Sequence, residues 1–409
     1  MVISNIRSVS DGLLGTHVQW NEVERKLQKA LRTKARFGPQ KSIQRIGEGN
    51  GFLSQVGVVD CDWRGAEEYE DLPEKIVLKM SSCITMTAMT KSEYEDVDIS
   101  EGQWNGLEVY VKNAHNIESE VYDSFAAFRN ELAVPRSFYT VPFTDENPLA
   151  GQIALEYIGN STTIRLSDTL GMEEMKEIAR ELGKMQALAY SARLHERCPL
   201  LQKNDIYTNY WRTCRGELFS SLLMKLTNYD TSMEFAETVK RMISLVPRYA
   251  GSNLPMTLHK DYGHAPVLVN GDLWSSNLLF DSDTGELRSY LDWQDAHFGC
   301  GSEDLLRIAF TSMSSRERGE GMGELLDALH ASLTEHLEEG QQPPYTLEQL
   351  KLSARVLLPH CGLYLMELIA TESMSPTEKK ARQAVLLDKG RGIMEDILES
   401  HAENERIKG

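Results

Sequence analysis

Apolar positions recur every four residues at Val23, Leu27 and Leu31, so residues 1–40 are predicted to be helical. The period then changes. Ser42 to Ile46 alternates, Gly47-Glu48-Gly49-Asn50-Gly51 interrupts, and Phe52 to Val59 resumes a β-branched apolar run. This reads as strand, glycine turn, strand. Leu72-Pro73 precedes a further strand at Lys75 to Met80. The polar stretch Ser92 to Trp104 is expected to be a solvated connection leading to a helix that begins near Ala114. Another strand is predicted at Gln152 to Ile158, broken by Gly159-Asn160-Ser161.

From there helices dominate. Met175, Ile178, Ala179, Leu182, Met185 and Leu188 form one stripe, with Ser167 and Asp168 placed to cap it. Helices are also predicted over 232–249, 319–338, 346–372 and 376–400. Strands interrupt them only between Pro266 and Leu291. The expected fold class is α+β: a bilobal, protein-kinase-like fold with a small β-rich N-terminal lobe and a larger helical C-terminal lobe. The lobes are expected to cover 1–157 and 158–409.

Composition narrows the function classes. The 409 residues are 41% hydrophobic and 25% charged, as in an ordinary globular protein. Acidic residues number 61 against 43 basic, and the net charge of -18 disfavours nucleic acid as a partner. The N-terminal stretch lacks the apolar core of a signal peptide and no membrane span is expected, which places the chain in the cytoplasm. Six cysteines without a C-x-x-C pair read as reduced structural thiols.

The segment Val267 to Phe280 carries the most chemistry. An apolar strand enters a polar loop holding Asp272 and Asn277, a second strand follows, and Asp281-Ser282-Asp283-Thr284-Gly285 is turn chemistry. A hairpin folded there sets Asn277 beside Asp292. Two oxygen ligands side by side suit magnesium, and Asp272, five residues earlier, is placed to accept or orient a substrate hydroxyl proton. The glycines at 47, 49 and 51 allow backbone amides to approach phosphates. Lys79, ending its strand, is a candidate to reach them, with Glu118 or Glu120 as its helix partner. His259-Lys260-Asp261 imitates a kinase H-R-D, but Pro266 stands where its asparagine should be, so it reads as a surface turn.

At these residues the chain resembles the CHK kinase-like family, which includes ecdysteroid-kinase-like proteins and sits with choline kinases and aminoglycoside phosphotransferases. GEGNGFLS, VLK, HNIESEVY, ALEYI, VLVNGDLWSSNLLF and LDWQDAHFGCGSEDLLRI occur in the family's order. The resemblance implies an ATP- and magnesium-dependent phosphotransferase acting on a small-molecule hydroxyl group. It assigns Gly47, Gly49 and Gly51 to the phosphate loop and Lys79 to the nucleotide, and it selects Glu118, four residues before Tyr122. Glu156 to Ile158 then match the adenine hinge, Asp272 the base, Asn277 and Asp292 the metal ligands, and Asp304 a structural carboxylate.

One departure stands out, because the family's His-Gly-Asp is here Asn270-Gly271-Asp272. It motivates a second reading, a catalytically impaired pseudokinase or nucleotide- or small-molecule-binding protein of the same fold. A nicotinamide oxidoreductase fits poorly, since a dinucleotide loop should open a helix whereas Gly51 leads into a strand. A protein kinase fits poorly too, because Asp292 is followed by Trp293-Gln294 and no A-P-E segment is present. Tyr207, Tyr210 and Trp211 are candidates for an aromatic wall holding a sterol-like group or a cationic amino alcohol.

Overall fold

A computed structural model describes residues 5–47, 53–66, 69, 71–93, 100–128, 131–204, 216–373 and 380–408. The chain divides into two compact units, Met1–Arg129 with Val134–Gly159, and Asn130–Ala133 with Asn160–Gly409.

In the first unit the strands are β1 (Arg36–Phe37), β2 (Ser42–Arg45), β3 (Ser54–Asp60), β4 (Trp63–Arg64), β5 (Lys75–Ser81), β6 (Ser137–Val141) and β7 (Gln152–Glu156). Five form a sheet in the order β2-β3-β5-β7-β6. Every pairing in it is antiparallel. The two-residue side-chain period of β5 sorts its residues between the sheet faces. Ile76, Leu78 and Met80 are fully buried in a core shared with Val23 and Leu27 of helix α1 (Trp20–Leu31). Lys79 and Ser81 therefore point to the opposite face. There they meet α3 (Glu101–Phe125), which follows α2 (Ile84–Glu93) in the chain.

Two expectations need correction in this unit. The helix expected over 1–40 is confined to α1, because Arg32 takes a left-handed conformation (φ 53°) and ends it. The chain before it makes a tight turn at Leu13–Gly15. The long helix starts at Glu101, not near Ala114, since Ser100 and Gln103 cap it reciprocally. Leu107, Val111 and Ala114 then keep one buried stripe through residues that look like a polar connection.

The second unit is largely helical: α4 (Met172–Ser191), α5 (Gly216–Lys225), α6 (Met233–Tyr249), α7 (Leu254–Asp261), α8 (Glu303–Ser312), α9 (Ser315–His336), α10 (Leu347–Ser373) and α11 (Lys380–Lys408). The α4 stripe is buried as expected at Met175, Ile178, Ala179, Leu182 and Met185. Its helix, however, starts at Met172, after Gly171 and not at Ser167-Asp168. Gly183 brings α4 close to α9, for a Cβ there would stand 2.3 Å from the Leu329 carbonyl oxygen. Pro359 lies inside α10 and cannot donate to the carbonyl of Arg355. That carbonyl instead accepts from Ser400 Oγ (2.8 Å) and Asn404 Nδ2 (3.4 Å) of α11.

Among the described helices, α10 alone is long and apolar enough to cross a membrane, and its buried face is spent on the core. His259-Lys260-Asp261 is not a surface turn. It ends α7, and His259 is buried. Five described cysteines, 61, 83, 198, 300 and 361, are buried free thiols.

The strands of this unit frame one loop. β9 (Val267–Val269) pairs antiparallel with β12 (His297–Gly299), and β10 (Leu278–Asp281) forms a hairpin with β11 (Leu287–Tyr290). A short β8 (Ser161–Thr162) adds to the hairpin's other edge. Strands thus extend beyond the expected Pro266–Leu291 interval on both sides. The hairpin turn is closed by Asp281, whose Oδ1 accepts from the amides of Asp283 and Thr284, both at 3.0 Å.

Candidate active site

In the first unit Lys79 and Glu118 form a buried ion pair, Nζ to Oε2 2.7 Å. The sheet dictates where the lysine points and the helix period dictates the rest. His115, three residues before Glu118, lies on the same helical face. Its two ring nitrogens bond Ser81 Oγ and the Val141 carbonyl, each at 2.9 Å. Burial pushes the His115 pKa down to about 4, and the neighbouring Lys79 charge acts in the same direction. Histidine is therefore neutral there, and it pins α3 to strands β5 and β6. Of the two glutamates left open by position, Glu118 is the one that meets Lys79.

Gly47 follows β2 with φ +70° and open space where a Cβ would be. Gly49 and Gly51 lie outside the described residues, as do Tyr207, Tyr210 and Trp211. Glu156 ends β7 at the surface and exchanges main-chain contact with Arg136, whose carbonyl accepts from the Glu156 amide at 2.8 Å. Ile158 stands just before the chain passes from the first unit to the second.

In the second unit the loop between β9 and β10 is held from three directions. Asp304, fully buried at the start of α8, accepts the amides of Asn270 (2.8 Å) and Gly271 (3.0 Å) with its two carboxylate oxygens. Asn277 Nδ2 donates to the Asp272 carbonyl at 2.8 Å, and the Asn277 carbonyl accepts the Leu291 amide at 2.8 Å. The second contact puts Asp292 next to Asn277, across the base of the hairpin. Gly271 is required in the loop. Its φ is +82°, and a Cβ would stand 2.3 Å from the Asp295 carbonyl oxygen.

The electrostatics are those of crowded carboxylates. Asp272 is held well above the usual carboxylate range by burial, then by the charge of Asp295, with Asp292 adding to it. Arg307 and a hydrogen bond from Gln294 pull the other way. Behind the loop, His297 Nε2 bonds Glu303 Oε2 at 3.0 Å, both fully buried. Burial alone would neutralise that pair, but the charges of His297 and Arg307 outweigh it and hold Glu303 at about 2. Asp304 goes the other way, pushed up to about 6 by burial and by Glu303.

Asn277 and Asp292 fit a hard cation. The amide nitrogen of Asn277 is spent on the Asp272 carbonyl, so Oδ1 is the end left for a ligand, and Asp292 supplies a second oxygen. Sequence reasoning missed Asp295 and Arg307, whose charges act on Asp272. Asp295 could have been noticed as the second carboxylate of Asp-Trp-Gln-Asp. Arg307 carries no signal in the chain, because its relation to Asp272 is made by folding.

Comparison with known proteins adds a kinase-like relative. An uncharacterized kinase-like protein of Caenorhabditis elegans is 23% identical over 246 residues. The match takes in 58% of this chain and 61% of that protein, so the chain spans about three-fifths of the curated relative's length. Among solved structures, a protein assigned to the aminoglycoside phosphotransferases of Ralstonia eutropha aligns with a TM-score of 0.48 at 12% identity, over 93% of this chain and 98% of that one. A microcompartment-associated aminopropanol kinase aligns with a TM-score of 0.43 at 17% identity, over 91% and 97%. The model of the DUF1679 family, described as "Uncharacterized oxidoreductase dhs-27", matches residues 6–405, and the chain belongs to that family.

Proposed function

We propose that the protein is an ATP- and magnesium-dependent phosphotransferase that transfers a phosphoryl group to a hydroxyl of a small molecule. The observation that carries the reading is the buried Lys79–Glu118 pair. A buried ion pair is an expensive way to join a helix to a sheet, since apolar residues of the same size do so at least as well. Its use here makes sense if the lysine must be held out to phosphates. The kinase-like name of the worm relative supports the same reading.

The remaining roles follow from the second unit. Asn277 Oδ1 and the Asp292 carboxylate would hold magnesium, whose chemistry there is to neutralise phosphate oxygens. Asp272, on a loop fixed by Asp304, orients the acceptor hydroxyl and takes its proton. The raised proton affinity of Asp272 suits that task, though a bound cation lowers it. Gly47, Gly49 and Gly51 are assigned to the phosphates, and backbone groups from Glu156 to Ile158 to adenine. The acceptor is assigned to the small-molecule alcohols, sterol-like or amino-alcohol.

The oxidoreductase in the family description is the competing reading. Against it, the first unit's sheet is antiparallel throughout and Gly47 lies between two strands of an antiparallel pair, whereas dinucleotide binding uses a parallel strand–helix turn. Purified protein is incubated with ATP, magnesium and a mixed metabolite extract. A phosphorylated product that disappears in Asp272→Ala is expected. Absence of both ATP binding and turnover overturns the reading, and saturable NADH binding in their place transfers it to the oxidoreductases.

A further inference from the structure

Asn270 is fully buried and uses its whole carboxamide. Oδ1 accepts the amide of Asp272 at 3.0 Å. Nδ2 donates to the carbonyls of Leu291 at 3.3 Å and Asp292 at 3.1 Å. The side chain thus joins the loop that bears the base to the strand end that bears a metal ligand. Asp292 gains from being held, because its φ is +57°, in the left-handed region that favours glycine and that aspartate enters only as a single, locally supported residue. The bond from Nδ2 fixes the carbonyl on the C-terminal side of that strained residue. The Asn270 amide is itself anchored on Asp304, so the clamp stands on a fixed base.

We infer that Asn270 is a positioning residue that locks Asp292 into its left-handed conformation and sets it relative to Asp272. The inference rests on the phosphotransferase reading for the roles of those two aspartates. It assigns the histidine-to-asparagine exchange to an alternative brace, not to loss of activity. Both amide hydrogens and the oxygen have partners, so an aspartate at 270 would keep the acceptor, lose the donor and face two carbonyl oxygens with negative charge.

The test compares the natural chain with Asn270→Asp and Asn270→His, using Mn²⁺ with ADP as the probe. Mn²⁺ binding is read by electron paramagnetic resonance, and kcat and KM for ATP are measured in parallel. Asn270→Asp is expected to weaken Mn²⁺ binding by about ten- to a hundredfold and to lower kcat, while affinity for metal-free ADP is unmoved. Asn270→His, which can both donate and accept, is expected to restore metal binding. Unaltered Mn²⁺ affinity and kcat in Asn270→Asp overturn the inference, as does a large gain of activity in Asn270→His. Should Asn270→Asp fail to fold, Asn270→Ala takes its place, and failure of both marks Asn270 as a folding residue and overturns the inference. If the natural chain binds neither ADP nor Mn²⁺, the phosphotransferase reading falls and this inference with it. If it binds both and the variants do so equally, this inference alone falls.

Discussion

Removing one partner of the Lys79–Glu118 pair tests both its energetics and its purpose. At 2.7 Å the attraction amounts to about 6 kcal/mol for an effective dielectric of about 20. Desolvating two ions costs several kcal/mol each, so the pair as a whole adds little to stability. The singles behave differently. Lys79→Met removes the cation from a carboxylate whose side chain is 1% exposed, and Glu118→Leu removes the carboxylate 2.7 Å from the ammonium, so each should cost about 3–5 kcal/mol. The double variant Lys79→Met/Glu118→Leu replaces both ions with apolar groups and should lose far less than the sum of the two. Urea unfolding of the four proteins measures the cycle, and calorimetry with ATP measures binding. Stability should return in the double variant while ATP affinity stays low. A double variant as unstable as the summed singles refutes the energetic argument. One that regains stability and also binds ATP normally refutes the assignment of the pair to phosphate binding.

Two further predictions concern the loop behind the proposed base. Gly271→Ala puts a Cβ into the Asp295 carbonyl in a left-handed backbone, and should cost at least about 2 kcal/mol in thermal unfolding together with loss of Mn²⁺ binding. Asp304 has its folded-state pKa raised from 3.8 to about 6. Its contribution to stability is therefore complete below 3.8 and is lost as pH rises through 6, a fall of about 3 kcal/mol across that window. Glu303, lowered to about 2, works in the opposite sense, its contribution being lost as pH falls from 4.5 through 2. Denaturant titrations from pH 3.5 to 7 should show the Asp304 leg flattened in Asp304→Asn, and an unchanged slope in that variant refutes the assignment.

The parts of the fold that sequence disclosed are those with a sustained period. The stripe from Met175 to Met185 is buried along one helix face and the alternation of β5 sends Ile76, Leu78 and Met80 into one apolar core, so the pattern states the structure. The N-terminal half of α3 was hidden because polar and charged residues together outnumber the buried Leu107, Val111 and Ala114, although Ser100 and Gln103 signal its start. Strand β6 escaped because its alternation is blunted. Four of its five residues are half-buried, and its place is set by pairing with β7. At the site, the spacing of Asp272, Asn277 and Asp292 was legible because a hairpin is a local structure. The choice of Glu118 over Glu120 needed family resemblance, since both lie on one helix and the choice depends on where the sheet points Lys79. The clamp of Asn270 was not legible at all. The two carbonyls that its amide nitrogen reaches lie 21 and 22 residues away, and residue type alone says that asparagine can bridge to them, not that it does.

Pro359 has a consequence for how the last two helices find each other. Along most of α10 each carbonyl is already satisfied by the next turn, so the backbone itself offers α11 little to bond. The proline erases one donor and leaves the Arg355 oxygen as a marker at a single height on the rod. Ser400 and Asn404, four residues apart on one face of α11, reach that marker together. Sliding α11 by one turn, about 5.4 Å, would strand the oxygen in an apolar seam. A residue usually regarded as a helix breaker thus acts as an index mark, selecting one alignment from several that apolar packing alone would leave nearly equal.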